Sequence, residues 1–367
     1  MDNPNQRKLN NNWWTNIDKF ILIPILIIFL FGIISISSIS QHLSGKFYFA
    51  SNLLFKKHII FCIVGVFIIV TLSRLSLKNL IFFSFFLFVL GIILSIFAIL
   101  FFPETKGANR WIKILSFSFQ PSELLKPSFI IISSVLLGRH KLKNDYSIFL
   151  NIFFIILIST LLIIQPDFGM FILIFAVWLL QMITSHLKLK FLVPIFSTFI
   201  LVFFVCFLTL DHVKFRIMNF LFSDVGDNFQ ITKSLSSFEN GGLLGKGIGE
   251  GTIAKGLPDV HSDFIFALIG EELGGVVAIL ILALYLTTYI RAHLISQRSN
   301  NFFIITSLTG LSNIFFFQVI INISSALNII PTKGMTLPFI SYGGSSFISS
   351  SIIIGFLLLL AKESKNE

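Results

Sequence analysis

Ten long, nearly unbroken apolar runs dominate this 367-residue chain, at about 20–39, 58–74, 80–102, 122–138, 147–164, 168–184, 190–209, 263–290, 302–326 and 343–361. About 20 apolar residues are enough for a helix to cross the hydrocarbon core of a bilayer. Lipid satisfies no backbone hydrogen bond, so only helices or a closed barrel can span it. Runs this long and continuous exclude the short alternating strands of a barrel. The sequence therefore predicts an all-α integral membrane protein with about ten transmembrane helices. Only Gln165, Pro166 and Asp167 part the fifth and sixth runs. That polar break and the combined length predict a tight hairpin over one long kinked helix.

Charged residues make up 12% of the chain, about half of what a soluble surface carries. The net charge of +10 is spread singly between apolar runs, with no basic stripe. It suits loops beside anionic membrane lipids and excludes a nucleic-acid partner. Fourteen Lys and Arg flank the side that holds the N-terminus. Twelve lie on the other side, five of them in one long loop, which leaves seven. The positive-inside rule then places both termini on the cytoplasmic side. The plan is a tail at 1–19, a ten-helix domain at 20–361 and a tail at 362–367. One large extracytoplasmic loop, 210–262, lies between spans seven and eight. The first run lacks a cleavage site and reads as a retained span. Cys62 and Cys206 sit inside apolar runs and read as small buried residues.

Four segments carry groups suited to chemistry. Glu239–Gly251 holds six glycines, but Lys246 is followed by Gly247, which breaks the Walker pattern. No nucleotide cofactor is expected. The stretch reads as a tight loop with several positive-φ glycines, or as amides that with Lys246 meet a pyrophosphate. In Leu257–Gly274, Asp263 falls where the eighth run begins. Position alone fits two roles equally: a general base acting on a lipid-linked headgroup, or a helix cap. On one continuous helix, Glu271 and Glu272 would lie about 12–14 Å deeper. Acids there are functional candidates or members of an ion pair. His261 and Asp263 form only a weak metal-ligand pattern. Where the fourth run begins, Pro121 and Ser122 open a helix on which Glu123 and Lys126 share a face. Arg110 and Lys126 would face an anionic substrate, or Lys126 would pair with Glu123 or Asp263. Pro331–Ser346 cannot be continuous helix. It is a close-packed turn or a cavity wall presenting Lys333.

These motifs, in order, resemble the SEDS family (shape, elongation, division and sporulation proteins). The resemblance rests on Arg110-Trp-Ile with Phe119–Lys126, Gln165–Gly169, His261–Ala267 with Gly270–Gly274, and Ile340–Ser346. It covers roughly 105 to 360. Pro331–Pro338 and Gly270-Glu-Glu are closer to the division branch than to the elongation branch. Ser262 stands where Thr is more usual. The resemblance implies peptidoglycan glycosyltransferase activity on lipid II. It implies Asp263 and Lys126 as catalytic residues, with Arg110, Glu123, Lys246, His261, Lys333 and Ser341 around the substrate. It further implies a divalent cation, Mg or Mn, for which Asp263 is the candidate ligand. The expected partners are a class B penicillin-binding transpeptidase and other divisome proteins. A lipid II transporter, a non-catalytic divisome scaffold and an elongation-type polymerase are the competing readings.

Overall fold

The computed structural model describes residues 13–44, 48–104, 109–114, 117–141, 146–185, 189–222 and 229–367. The polar tail through residue 12, with Arg7 and Lys8, lies outside these residues, as do Lys143 and Lys188 of the orientation count. The described residues form fourteen α-helices. They are α1 Trp13–Asn16, α2 Lys19–Ser44, α3 Tyr48–Leu72, α4 Leu77–Phe101, α5 Ser122–Lys141, α6 Tyr146–Ile164 and α7 Phe168–Thr184, then α8 Leu189–Thr209, α9 Asp211–Leu221, α10 Phe229–Gly241, α11 Ile265–Glu272, α12 Gly274–Arg298, α13 Phe302–Ala326 and α14 Gly344–Lys365. An antiparallel hairpin, β1 (Ile112–Ile114) with β2 (Phe117–Phe119), precedes α5. All ten predicted runs are helical to within a few residues, and 165–167 is the expected hairpin turn between α6 and α7.

Seven of these helices are long and apolar enough to cross a membrane by themselves: α2, α3, α4, α6, α12, α13 and α14. The other predicted spans differ for identifiable reasons. Helix α7 has 17 residues, and α8 with α9 forms a pair bent by 90°. Helix α5 carries Glu123, Lys126, Arg139 and Lys141, so it is too polar to face lipid. It does not have to, because every residue from 120 to 134 is buried. Helices α5, α13 and α14 form the inner layer. The surrounding helices expose large side chains such as Phe67, Phe82, Phe153 and Ile279. Small residues let these layers approach closely, as TM helices commonly do. A Cβ added at Gly32 would lie 2.3 Å from the Phe339 carbonyl oxygen, so α2 can meet the 331–343 segment only through glycine.

The eighth span does not run unbroken from 263. Helix α11 is short and buried along its whole length. The chain turns at Gly274 (φ +84°), and α12 then begins afresh. The cause lies far away in sequence. The glycine stretch 242–247 wraps this junction. Gly275 N donates to Gly242 O at 2.9 Å and Val276 N to Leu243 O at 3.2 Å. A Cβ at Gly274 would fall 2.4 Å from Gly245 N. Glu271 and Glu272 therefore lie at a helix end under a loop, not 12–14 Å down a span. The expected loop 210–262 is itself structured, with α9, α10 and a turn of 3-10 helix at Ala254–Gly256. At the opposite end of the bundle Asp18 accepts two hydrogen bonds from Arg291 Nε (3.1 and 3.2 Å) and one from Nη2 (2.8 Å). Lys365 Nζ lies 3.5 Å away. This cluster ties the ends of α2, α12 and α14.

Candidate active site

A cavity of about 960 Å³ opens between α7, α9, the turn before α11 and the segment after α13. Its lining includes apolar side chains, Ile172, Phe203, Val213, Phe220 and Ile321, and charged ones, Arg110, Asp167, Arg216, Asp259, Asp263 and Lys333. Such a mixed lining suits a ligand with a greasy chain and an anionic head.

Asp263 is held by its backbone. Asp259 adopts φ +55°, and its carbonyl accepts from Ser262 N and Asp263 N, each at 3.0 Å. Asn322 Nδ2 donates to Asp263 O at 3.1 Å. The N-cap position of α11 is Phe264, which offers no side-chain acceptor. Asp263 precedes that position and borders the cavity. Gly334 faces it so closely that a Cβ there would lie 2.6 Å from Oδ2.

Lys333 lies next to Gly334 on the segment after α13. Its backbone N–H is fixed by Ser325 Oγ at 3.0 Å. Its stem crosses Gly169, where a Cβ would overlap Cε at 1.7 Å. Its Nζ is buried and has no hydrogen-bond partner among the described residues. Burial pushes its ammonium down to about 7. Lys126 and Arg110 push the same way, and Asp167 and Glu123 oppose them. A buried, unpaired cation costs stability and marks a functional-site candidate. Beside it, Asp167 pairs with Arg110 at 3.4 Å and accepts from Gln120 Nε2 at 2.7 Å. Arg216 lies within electrostatic reach of Asp167 and Asp263.

Five expected site residues do not line this cavity. Lys126 is fully buried, with Glu123 Oε2 and Gln318 Oε1 each 2.6 Å from its Nζ. Of the pairings open in the sequence, the one with Glu123, three residues away on the same helix, is the one formed. Lys246 is exposed. Its backbone N–H and that of Gly247 donate to Glu271 O (2.9 Å) and Glu272 O (3.0 Å). Those amides cap the carbonyl end of α11, and Gly242, Gly245, Gly247 and Gly249 have positive φ, so the stretch is the tight glycine loop read from the sequence, here clamping a helix end. His261 and Ser341 lock the turn to the 331–343 segment. Tyr342 N donates to His261 O at 2.8 Å, and Ser341 Oγ donates to Ser262 O at 2.5 Å.

Glu271 and Glu272 are structural. Glu271 accepts from Thr252 N (3.0 Å), Ile253 N (3.0 Å), Ala254 N (2.7 Å) and Asn240 Nδ2 (2.7 Å). Burial raises its pKa, but the donors of Ile253, Ala254, Asn240 and Thr252 outweigh it and hold the carboxyl below its usual range. Glu272 accepts from Ser38 Oγ at 2.6 Å and lies 3.4 Å from Lys255 Nζ.

Asp167, Arg216 and Asp259 were not singled out from sequence. Asp167 had a signal, a carboxylate in the Pro break between two spans. Arg216 and Asp259 lie in a long loop and carry none. As to a metal, no three His, Cys, Asp or Glu side chains cluster tightly enough to hold one among the described residues. The donors here, Asp263 and Asp259, fit only a hard cation that takes its other oxygens from substrate phosphates and water, as Mg²⁺ usually does.

Residues 18–366 match the Cell cycle protein family of FtsW, RodA and SpoVE. The chain is 30% identical over 361 residues to the probable peptidoglycan glycosyltransferase FtsW of Caulobacter vibrioides, covering 96% of this chain and 90% of that one. It is 31% identical over 375 residues to the protein of that name from Coxiella burnetii, covering 98% and 100%. Among solved structures, a chain of a peptidoglycan synthase complex superposes with a TM-score of 0.76 at 21% identity, covering 96% of this chain and 99% of that one. Thermus thermophilus RodA superposes at 0.71 and 20%, with the same coverage. At these identities the two structures establish the fold, a multi-pass membrane bundle.

Proposed function

This chain belongs to the family of FtsW, RodA and SpoVE cell cycle proteins, and we propose that it is the FtsW-type peptidoglycan glycosyltransferase, which polymerises lipid II during septal wall synthesis. The observation that carries this reading is the cavity itself. A carboxylate, Asp263, and a buried ammonium without a hydrogen-bond partner among the described residues, Lys333, border one cavity whose lining combines apolar and charged side chains. Lipid II has the matching parts: a polyprenyl chain, a pyrophosphate and a sugar hydroxyl.

In this mechanism Asp263 takes the proton from the acceptor sugar's 4-hydroxyl. That oxygen forms a bond to the donor's anomeric carbon as the bond to the pyrophosphate oxygen breaks, with inversion. The electron pair leaves with undecaprenyl pyrophosphate. Lys333, Arg110 and Arg216 stabilise the charge that gathers there, and the apolar side chains of the lining hold the prenyl chain. Asp167 keeps Arg110 oriented. Asp263 and Asp259 would hold a Mg or Mn cation, which would neutralise pyrophosphate charge when bound. Lys126, enclosed between Glu123 and Gln318, supports the site from behind.

The reaction takes place at the outer face of the bacterial inner membrane, with both termini in the cytoplasm. The partners are a class B penicillin-binding transpeptidase and other divisome proteins. Purified full-length protein with its transpeptidase, given lipid II in detergent, is expected to yield glycan chains with no membrane to cross. Absence of chains, together with lipid II movement in sealed vesicles, would replace this reading by transport. Absence of both would leave a scaffold.

A further inference from the structure

We infer that Asn322 is the positioning residue for Asp263, one side-chain amide that fixes both flanks of the cavity. This builds on the glycosyltransferase reading and adds a residue to it. The segment from Pro331 to Gly343 has no regular secondary structure to hold it. Its second half is tied to the turn by Ser341 and Tyr342, and its first half is held by a polar stripe on α13. Gln318, Asn322 and Ser325, spaced four and three apart, lie on one face of that helix. They grip the segment in reverse order. Ser325 Oγ accepts from Lys333 N at 3.0 Å. Asn322 Nδ2 donates to Met335 O at 2.5 Å. Gln318 Nε2 donates to Thr336 O at 3.0 Å and to Ser346 Oγ at 3.1 Å, while its Oε1 accepts from Lys126.

Only Asn322 of the three also reaches the turn that bears Asp263, through the 3.1 Å bond to Asp263 O. Its two N–H groups thus join the base-bearing turn to the segment that carries Lys333 and Gly334. Its Oδ1 is buried without a partner among the described residues. An unsatisfied buried acceptor costs stability. A residue kept for packing alone would be apolar, so what the amide supplies is its pair of donors. Reacting groups must be held within about 0.5 Å of productive geometry, and a misplacement of about 1 Å can cost about 100-fold in rate.

Asn322→Asp is isosteric but turns an oxygen toward two carbonyl oxygens. In the full-length protein with its transpeptidase, kcat/KM for lipid II is expected to fall about 10- to 100-fold. The acid limb of the pH–rate profile is expected to move, because it reports the ionisation of the base. Asn322→Leu, which removes the donors without adding charge, carries the test if the Asp variant does not fold. A purely structural role would lower the amount of active enzyme and leave the acid limb in place. Unchanged kcat/KM would overturn the inference, as would a loss without movement of the limb, or failure of both variants to insert. Asp263→Asn in the same preparation separates the two levels. If it is inactive while the Asn322 variants are normal, only the positioning role fails. If it is active, the functional reading itself fails.

Discussion

Replacing Lys333 by Met tests whether the cavity stores a charge that awaits an anion. The substitution keeps the length and apolar stem of the side chain and removes the ammonium. Burial brings that ammonium from 10.5 to about 7. The difference, about 3.5 units at 1.36 kcal/mol each, is a penalty of up to about 5 kcal/mol on the protonated folded state. One flank of the side chain borders the cavity, where water screens the charge, so Lys333→Met should recover on the order of 2 kcal/mol. A base with a lowered folded pKa is penalised most at low pH. Between about pH 7 and 10.5 the unfolded chain binds more protons, so the penalty is full below about 7 and fades as the pH rises. Thermal unfolding in detergent from about pH 6 to 10 should show the Met protein more stable at pH 7, with the gap closing toward pH 10. Added pyrophosphate should raise the Tm of the parent more than that of the variant, which keeps Arg110 and Arg216. A Met protein no more stable at pH 7, or a gap that does not change with pH, would refute the account of Lys333.

Two further outcomes follow from single contacts. Gly334→Ala places a Cβ 2.6 Å from Asp263 Oδ2 at a position whose φ is not in the left-handed region. Polymerisation should fall about 100-fold while stability changes by no more than about 0.5 kcal/mol, as read by glycan assay and thermal melt. Glu271→Gln leaves at least one of three backbone N–H groups without an acceptor and should cost about 2 kcal/mol. Protease nicking between 242 and 256 is the direct readout. Because the Glu271 carboxyl is held below its usual range, the parent's loop should keep its protection above about pH 4.5 and lose it as the pH falls further.

The helical plan was legible because lipid forces long apolar runs, and Pro121 with Ser122 marked the start of α5 even though that helix is polar. The pairing of Glu123 with Lys126 was also legible, since residues three apart share a face. The break at Gly274 was not. It depends on hydrogen bonds from 242–247, and a glycine in an apolar stretch does not announce a distant clamp. For the same reason the glycines around Lys246 read as a tight loop or as a ligand loop, and the tight loop that forms turns out to clamp a helix end. Asp263 and Lys333 stood out as charges next to chain breaks. That they share a cavity, and that Lys126 does not, follows from the packing of α13 against its neighbours. Gln318 and Asn322, polar residues four apart inside a span, were the available sign of that packing.

The central claim is that the Asp263 carboxylate removes the acceptor proton. Its most direct measurement is glycan synthesis from lipid II by purified Asp263→Asn protein bound to its transpeptidase. This variant keeps the size of the side chain and the backbone bonds to Asp259 and Asn322. It should melt like the parent and yield no glycan chains. Chains formed at the parental rate would contradict the claim and return Asp263 to a structural role.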